Sequence, residues 1–252
     1  MRRSTIEFRE CCNPNCGLRY PRSPLETAGE RCPRCLGETR LAAERLWGPE
    51  ADRRAERATL PLQALLDNVR SAWNVGAIFR TADGLGLQKL YLCGITPTPP
   101  HAGIRKTALG AEEWVEWEYA PNAVQLAKKL KAEGARLWGI EEGSESDSLE
   151  ALREESQRAA AAEGWARSAP SSPIRRSDQV AGRIGSEEGT ELRGHAASIV
   201  LILGNEIAGV DPELLQLCEK VIAIPMRGQK RSLNVEVAFA LAAWEISLFL
   251  RR

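Results

Sequence analysis

The chain of 252 residues reads as an α/β protein: a parallel sheet with helices on both faces, preceded by a small metal-stapled module. Three observations lead there. From residue 58 onward, short apolar runs rich in β-branched residues alternate with helical ones, the pattern of a sheet covered on both sides. Five of the seven cysteines fall within residues 11–35, in a segment too poor in apolar residues to fold without a staple. A Ser/Glu/Gly/Ala/Pro-rich stretch, residues 142–196, breaks the alternation once and reads as a mobile surface insertion.

The elements follow in order. Residues 1–40 read as a zinc-ribbon-like module, and residues 41–57 (LAAERLWGPEADRRAER) as a linker or short helix. In the large domain, residues 58–252, TLPLQALLDNV and KLYLCGI are strands, with the helical GAIFRTADGLG between them and Asn74 placed to cap it. VEWEYA is followed by the helix NAVQLAKKLKAEG, ending at Gly134. ARLWGIE and the β-branched ASIVLILGNE are strands. Asp211-Pro212 opens a helix with an Asp cap and a first-turn proline. KVIAIP is a strand, and SLNVEVAFALAAWEISLFL the last helix, with Ser232 a good cap. Within the insertion, SLEALREESQRAAAAEG has helical composition and the rest is too polar to pack.

The final apolar stretch is short for a bilayer and is broken by Glu236 and Glu245, so no membrane association is expected. MRRSTIEFRECC has no apolar run behind its arginines and is not a signal peptide, which predicts a cytoplasmic protein. Net charge is zero, but residues 141–197 carry 12 acidic and 7 basic side chains, leaving 27 basic and 22 acidic elsewhere. That mild basic bias is compatible with phosphate contacts.

Cysteines of a cytosolic chain in two close pairs suggest metal rather than disulfides. Cys12-x3-Cys16 and Cys32-x2-Cys35 supply the four tetrahedral thiolates of a structural zinc. Cys11-x4-Cys16 would also serve, so Cys11 stays open as an alternative to Cys12. Arg19, Arg22, Arg31 and Arg34 with Tyr20 would give this module a basic surface suited to RNA. Cys93 and Cys218 stand alone in apolar surroundings and read as core residues.

The large domain has no phosphate-binding glycine fingerprint of either common type. Its two histidines, His101 and His195, lack ligand spacing. Three polar patches remain, each at the end of a strand: Asn68 through Asn74-x-Gly76-x3-Arg80, LGNEIAGVDPELL, and IPMRGQKRSLNV. Ligands of open parallel sheets collect at such carboxyl ends.

NVGAIFRTADGLG, LILGNEIAGVDPELL and IPMRGQKRSLNVEVAFALAAWE resemble, in order, the three motifs of SpoU/TrmH-type (SPOUT class) RNA methyltransferases, and KTALGAEEWVEW is similar to the intervening segment. The resemblance spans roughly residues 60–252 apart from the insertion. It implies a C-terminal deep trefoil knot, a homodimer, and S-adenosylmethionine-dependent methylation of a ribose 2′-hydroxyl in rRNA or tRNA. By position it implies that Gly204, Ile224 and Leu233 hold the cofactor through their backbones, with Leu203, Met226 and Asn234 lining the same pocket. Arg80 matches the catalytic arginine, supported by Asn74, Glu206 and Ser232. A guanidinium suits a bidentate phosphate clamp that also polarises the hydroxyl, the preferred role for Arg80; the arginine base that the resemblance also implies is the alternative. Glu236 stands where many relatives have a second serine, and the cysteine-rich module replaces the usual RNA-binding extension. A knotted RNA-binding protein without turnover is the alternative reading. The last helix, apolar on nearly all sides, predicts a dimer surface involving Val235, Phe239, Leu241 and Trp244.

Overall fold

The computed structural model describes residues 4–22, 31–47, 59–143, 146–162 and 198–250. They fall into two compact units, residues 1–57 and 58–252.

The first unit is an antiparallel sheet of β1 (Ser4–Cys11), β2 (Arg19–Arg22) and β3 (Thr39–Trp47), ordered β2-β1-β3. The expected linker at 41–57 is therefore corrected at its start: Leu41 through Trp47 belong to β3 and pair with Ser4 through Arg9. Polar composition concealed this strand because its partner among the described residues, β1, lies some thirty-five residues away in sequence. The remainder of that stretch, residues 48–57, lies outside the described residues.

The second unit is a seven-stranded sheet ordered β6-β5-β4-β9-β7-β10-β8, with every pairing parallel. Its strands are β4 (Leu60–Asp67), β5 (Leu87–Cys93), β6 (Glu116–Ala120), β7 (Arg136–Ile140), β8 (Asp147–Ser148), β9 (Ile199–Leu203) and β10 (Lys220–Ala223). The helices are α1 (Ala72–Leu85), α2 (Ala102–Ala108), α3 (Ala123–Ala132), α4 (Leu149–Ala162), α5 (Pro212–Leu217) and α6 (Val235–Leu250). Both faces of the sheet are covered, as expected. Successive strand residues point to opposite sides, so Ile199, Leu201 and Leu203 of β9 pack with α1, α2, α4 and α6, while Val200 and Ile202 pack with α3 and α5. Full burial of all five β9 residues explains the unbroken apolar run IVLIL.

Several local expectations change. The Ser71 hydroxyl, not Asn74, caps α1, accepting from the Asn74 backbone N–H at 3.3 Å; Asn74 sits one turn in. Asn234, not Ser232, caps α6, its side-chain oxygen accepting from Glu236 N–H at 2.8 Å. Asp211 caps α5 with Pro212 in the first turn, as expected. Helix α2 was not anticipated; its cap is His101, whose Nδ1 accepts from Gly103 N–H at 3.0 Å.

The start of the insertion is part of the fold. Asp147 and Ser148 extend the sheet beside β10, the Ser148 hydroxyl accepts from Ala151 N–H at 3.0 Å, and Leu152 of α4 is buried in the main core with Leu149 packed against it. Two leucines one turn apart suffice to anchor a helix whose overall composition is polar. Residues 163–197 lie outside the described residues.

Candidate active site and cysteine cluster

The three polar patches converge at the carboxyl ends of β4, β9, β7 and β10, in the middle of the sheet. There a cavity of about 480 Å3 is bounded by Ile140–Glu142, Leu203–Ile207, Gly209, Ile224, Met226, Arg231–Val235 and Ala238. All six residues expected to hold a cofactor line it: Leu203, Gly204, Ile224, Met226, Leu233 and Asn234. So do Glu206 and Ser232. The walls are apolar where strand residues face the cavity and polar where Asn205, Ser232 and Asn234 reach its rim. Its volume falls within the range of small-molecule sites, about 300–1,000 Å3.

The loop after β9 is held by its own polar side chains. Asn205 Oδ1 accepts from the Ile207 and Ala208 amides at 2.9 and 3.0 Å, and Asn205 Nδ2 donates to the Asn68 carbonyl at 2.7 Å. Asn205 and Gly209 exchange backbone hydrogen bonds at 2.9 Å. The loop folds back so closely that a Cβ on Gly204 would collide with the Gly209 carbonyl and the Val210 amide nitrogen. The requirement for glycine at Gly204 comes from this close backbone crossing.

Glu206 joins the first and second patches. Its Oε2 accepts from Arg70 N–H at 2.9 Å, and its Oε1 accepts from Ser71 N–H at 3.0 Å and from Asn74 Nδ2 at 3.1 Å. Burial works against its charge, but these donors outweigh burial and hold the carboxyl below the ordinary carboxylate range. Asn74 Oδ1 in turn accepts from Asn234 Nδ2 at 3.1 Å. A continuous chain of hydrogen bonds thus runs Glu206–Asn74–Asn234 and ties all three patches together. Beneath it, burial followed by the nearby Asp211 charge raises the Asp67 carboxyl. Glu141 is committed as well, with Oε2 accepting from Val210 N–H at 2.8 Å.

Arg80 does not reach this cavity. It is exposed on α1 and lines a neighbouring one of about 530 Å3, with Ala77, Thr81, Lys106, Thr107, Leu109 and Glu236. Six residues separate Asn74 from Arg80, which is about 120° around a helix, so the two side chains leave α1 in different directions. Helix α6 borders both cavities: Val235 and Ala238 face the first, Glu236 the second. Helices α1 and α2 cross very closely there, since a Cβ on Gly76 would collide with Thr107 Oγ1 and the Ile104 carbonyl. Sequence reasoning quoted Lys106 only as the start of KTALGAEEWVEW and gave it no role; its Nζ lies 5.4 Å from the Trp73 ring centre.

In the N-terminal unit the sulfurs of Cys11, Cys16, Cys32 and Cys35 all lie within 4.8 Å of one another. The Cys11–Cys35 and Cys16–Cys32 separations are 3.4 and 3.7 Å, far longer than a disulfide. They approach the ~3.8 Å edge of a tetrahedron with metal–sulfur bonds of about 2.3 Å. Cys12 is exposed and outside the group. The reason is strand alternation: Cys11 ends β1, and its neighbour, hydrogen-bonded to the Glu38 carbonyl, points to the opposite side. Burial raises the Cys32 thiol, but the Cys35 and Arg34 amides more than offset it and bring it to about 7. The arginines expected to form one basic surface do not share a face. Arg19 pairs with Glu10 on one side of the sheet, and Arg22 with Glu7 on the other.

A doubly covered parallel sheet with its pocket built from loops at the strand ends defines a ligand-binding α/β domain. Residues 61–244 match the SpoU rRNA Methylase family, and the chain belongs to it. It is 27% identical over 198 residues to a tRNA (guanosine(18)-2′-O)-methyltransferase of Aquifex aeolicus, covering 75% of this chain and 70% of that protein. Identity to a 23S rRNA (guanosine(2553)-2′-O)-methyltransferase of Bacillus subtilis is 28% over 189 residues, 75% of this chain and 59% of that one. Among solved structures, the A. aeolicus TrmH/SpoU tRNA modifying enzyme superposes with a TM-score of 0.54 at 26% identity, covering 76% of each chain. The Streptomyces viridochromogenes SpoU methyltransferase AviRb, solved with AdoMet, shares the fold with a TM-score of 0.53 at 19% identity, over 82% of this chain and 67% of that one. Among the described residues no helix is long and apolar enough to cross a membrane.

Proposed function

We propose that this chain is an RNA methyltransferase that transfers a methyl group from S-adenosylmethionine to a ribose 2′-hydroxyl of tRNA or rRNA in the cytoplasm. The observation that carries the reading is the meeting of the second and third motifs on one cavity, with the first motif tied to it through the Glu206–Asn74–Asn234 chain. Relatives of this chain are named for that reaction. The cavity suits the cofactor: Leu203, Ile224, Met226 and Leu233 offer apolar contact to an adenosine, and the Asn205, Ser232 and Asn234 edge offers polar contact to an amino acid. When bound, S-adenosylmethionine supplies an electrophilic methyl group. The chain's own residues hold and orient both partners, an effect worth on the order of 7–11 kcal/mol at best. Gly204 keeps the floor thin, and Glu206 and Asn74 fix the rim. Arg80 and Lys106 form the cationic cavity beside it and suit an RNA phosphate, with Arg80 able to grip two oxygens at once. The preserved Arg80, Asn74, Glu206 and Ser232 favour turnover over a purely RNA-binding role.

The reading extends to assembly. Val237, Leu241, Trp244 and Leu248 form one exposed apolar stripe along α6, which supports a homodimer through this helix. Phe239 and Val235, included in the expected surface, pack instead into the chain's own core. The knot would arise if residues 224–234 thread the loop around 204–210, which they face across the cavity. In the N-terminal unit, Cys11, Cys16, Cys32 and Cys35 would hold one structural zinc.

The test is transfer of labelled methyl to in vitro transcribed tRNA and ribosomal RNA, with the product mapped to a ribose. Arg80→Ala should reduce transfer by on the order of 100-fold or more while leaving calorimetric cofactor affinity near wild type, and Arg80→Lys should recover little. Normal transfer by Arg80→Ala, or label on a base instead of a ribose, would overturn the assignment.

A further inference from the structure

Methylating a hydroxyl releases a proton, and the cavity assigned to the RNA is lined by two cations that cannot take it. A guanidinium and an ammonium present N–H donors and no acceptor lone pair. A carboxylate beside those cations, with uncommitted oxygen lone pairs, suits that role. Glu206 is not that group, since both of its oxygens accept backbone or side-chain N–H donors. Glu141 likewise binds the Val210 and Glu142 amides, and Asp67 lies buried beneath the site. His101 has its Nδ1 spent on the α2 cap.

Glu236 is different. Among the described residues it is the one carboxylate lining the Arg80–Lys106 cavity. Among the described contacts its side chain accepts only a long hydrogen bond, 3.5 Å, from the Thr81 hydroxyl. It also follows Val235, a wall of the neighbouring cavity, by a single residue, so the helix start that borders the methyl-donor site carries the carboxylate too. The charged groups facing it are Arg80 from α1 and Lys106 from α2.

We propose that Glu236 is the proton acceptor for the ribose hydroxyl, an inference that rests on the methyl-transfer reading above. As the ribose oxygen bonds to the methyl carbon, the carbon–sulfur bond breaks and its electron pair stays on sulfur. The hydroxyl proton passes to the Glu236 carboxylate and from there to water. Arg80 and Lys106 hold the adjoining phosphate, and Thr81 aims the carboxylate. Where a serine at this position could only donate or relay, this chain carries a base of its own.

The experiment compares wild type, Glu236→Gln, Glu236→Asp and Glu236→Ala in single-turnover transfer to the same transcribed RNAs. Cofactor affinity is measured by calorimetry and RNA affinity by filter binding with S-adenosylhomocysteine present. Glu236→Gln should slow transfer on the order of 100-fold, with both affinities within about twofold of wild type on that scale, and Glu236→Asp should fall between. Added formate should restore part of the rate to Glu236→Ala and none to Glu236→Gln, whose amide still fills the space. A wild-type rate in Glu236→Gln, RNA affinity that rises while the rate holds, or Glu236→Ala indifferent to formate would each overturn the proposal. No transfer by wild type would instead remove the methyl-transfer reading itself.

Discussion

Glu206→Gln isolates what the bracing of the site is worth. The carboxylate accepts three N–H donors and lies 3.8 Å from the Arg70 guanidinium. A glutamine amide keeps one acceptor oxygen and must turn its NH2 towards a donor, either Arg70 N–H or the Ser71 and Asn74 pair. Hydrogen bonds to a charged group contribute about 1.5–3 kcal/mol each. The side chain is 21% exposed, so we take the low end and expect a loss of roughly 1.5–3 kcal/mol for one or two bonds. For a domain of this length, 1 kcal/mol moves Tm by about 2–4 °C, which gives a drop on the order of 3–12 °C. The pH dependence has a definite sign. A carboxyl held below its unfolded value stabilises above about pH 4.3 and loses that contribution as pH falls through its folded value. Thermal unfolding followed by circular dichroism should therefore show a wild-type advantage that is constant near neutrality and closes in acid. Equal Tm values at pH 7, or a gap undiminished at about pH 3, would refute the view that charge-assisted bonds at Glu206 hold the first two motifs together.

Cys11→Ser should lower zinc content well below about one per chain, while Cys12→Ser leaves it unchanged, as read by metal analysis of purified protein. Leu152→Ala should destabilise the large unit by about 2–4 kcal/mol in urea unfolding, because its side chain is buried in the main core, where α4 packs on α6; an effect near zero would return α4 to the surface. Trp244→Glu, on an exposed face of α6, should yield a monomer in light scattering at micromolar concentration without loss of Tm in the isolated chain. A wild-type protein already monomeric there would remove the α6 interface.

How much of this was legible beforehand varies with the range of the interaction concerned. The parallel α/β class, strands β4, β5, β7, β9 and β10, and the Asp211-Pro212 helix start could be read directly, because hydrophobic period and helix-start chemistry are local properties of the chain. The motif residues of the cavity could be named in advance since each patch follows an apolar strand, and strand ends are where such sheets gather ligands. What joined them was tertiary. Asn74 looked like a cap and is a bridge between Glu206 and Asn234; nothing in its own neighbourhood specifies partners 132 and 160 residues away. Gly204 is glycine because another backbone crosses it, which only folding brings about. Cys11 displaced Cys12 from the sulfur cluster by the pleat of β1, and that pleat could be phased only once β1 paired with β3. The polar helix α4 joined the core through Leu149 and Leu152, two side chains that composition averaged over a long insertion could not reveal. Local chemistry in this chain decides which elements form and which residues end them. Packing decides which of those ends meet, since the cost of bringing distant segments together is met by burial distributed over the whole sheet.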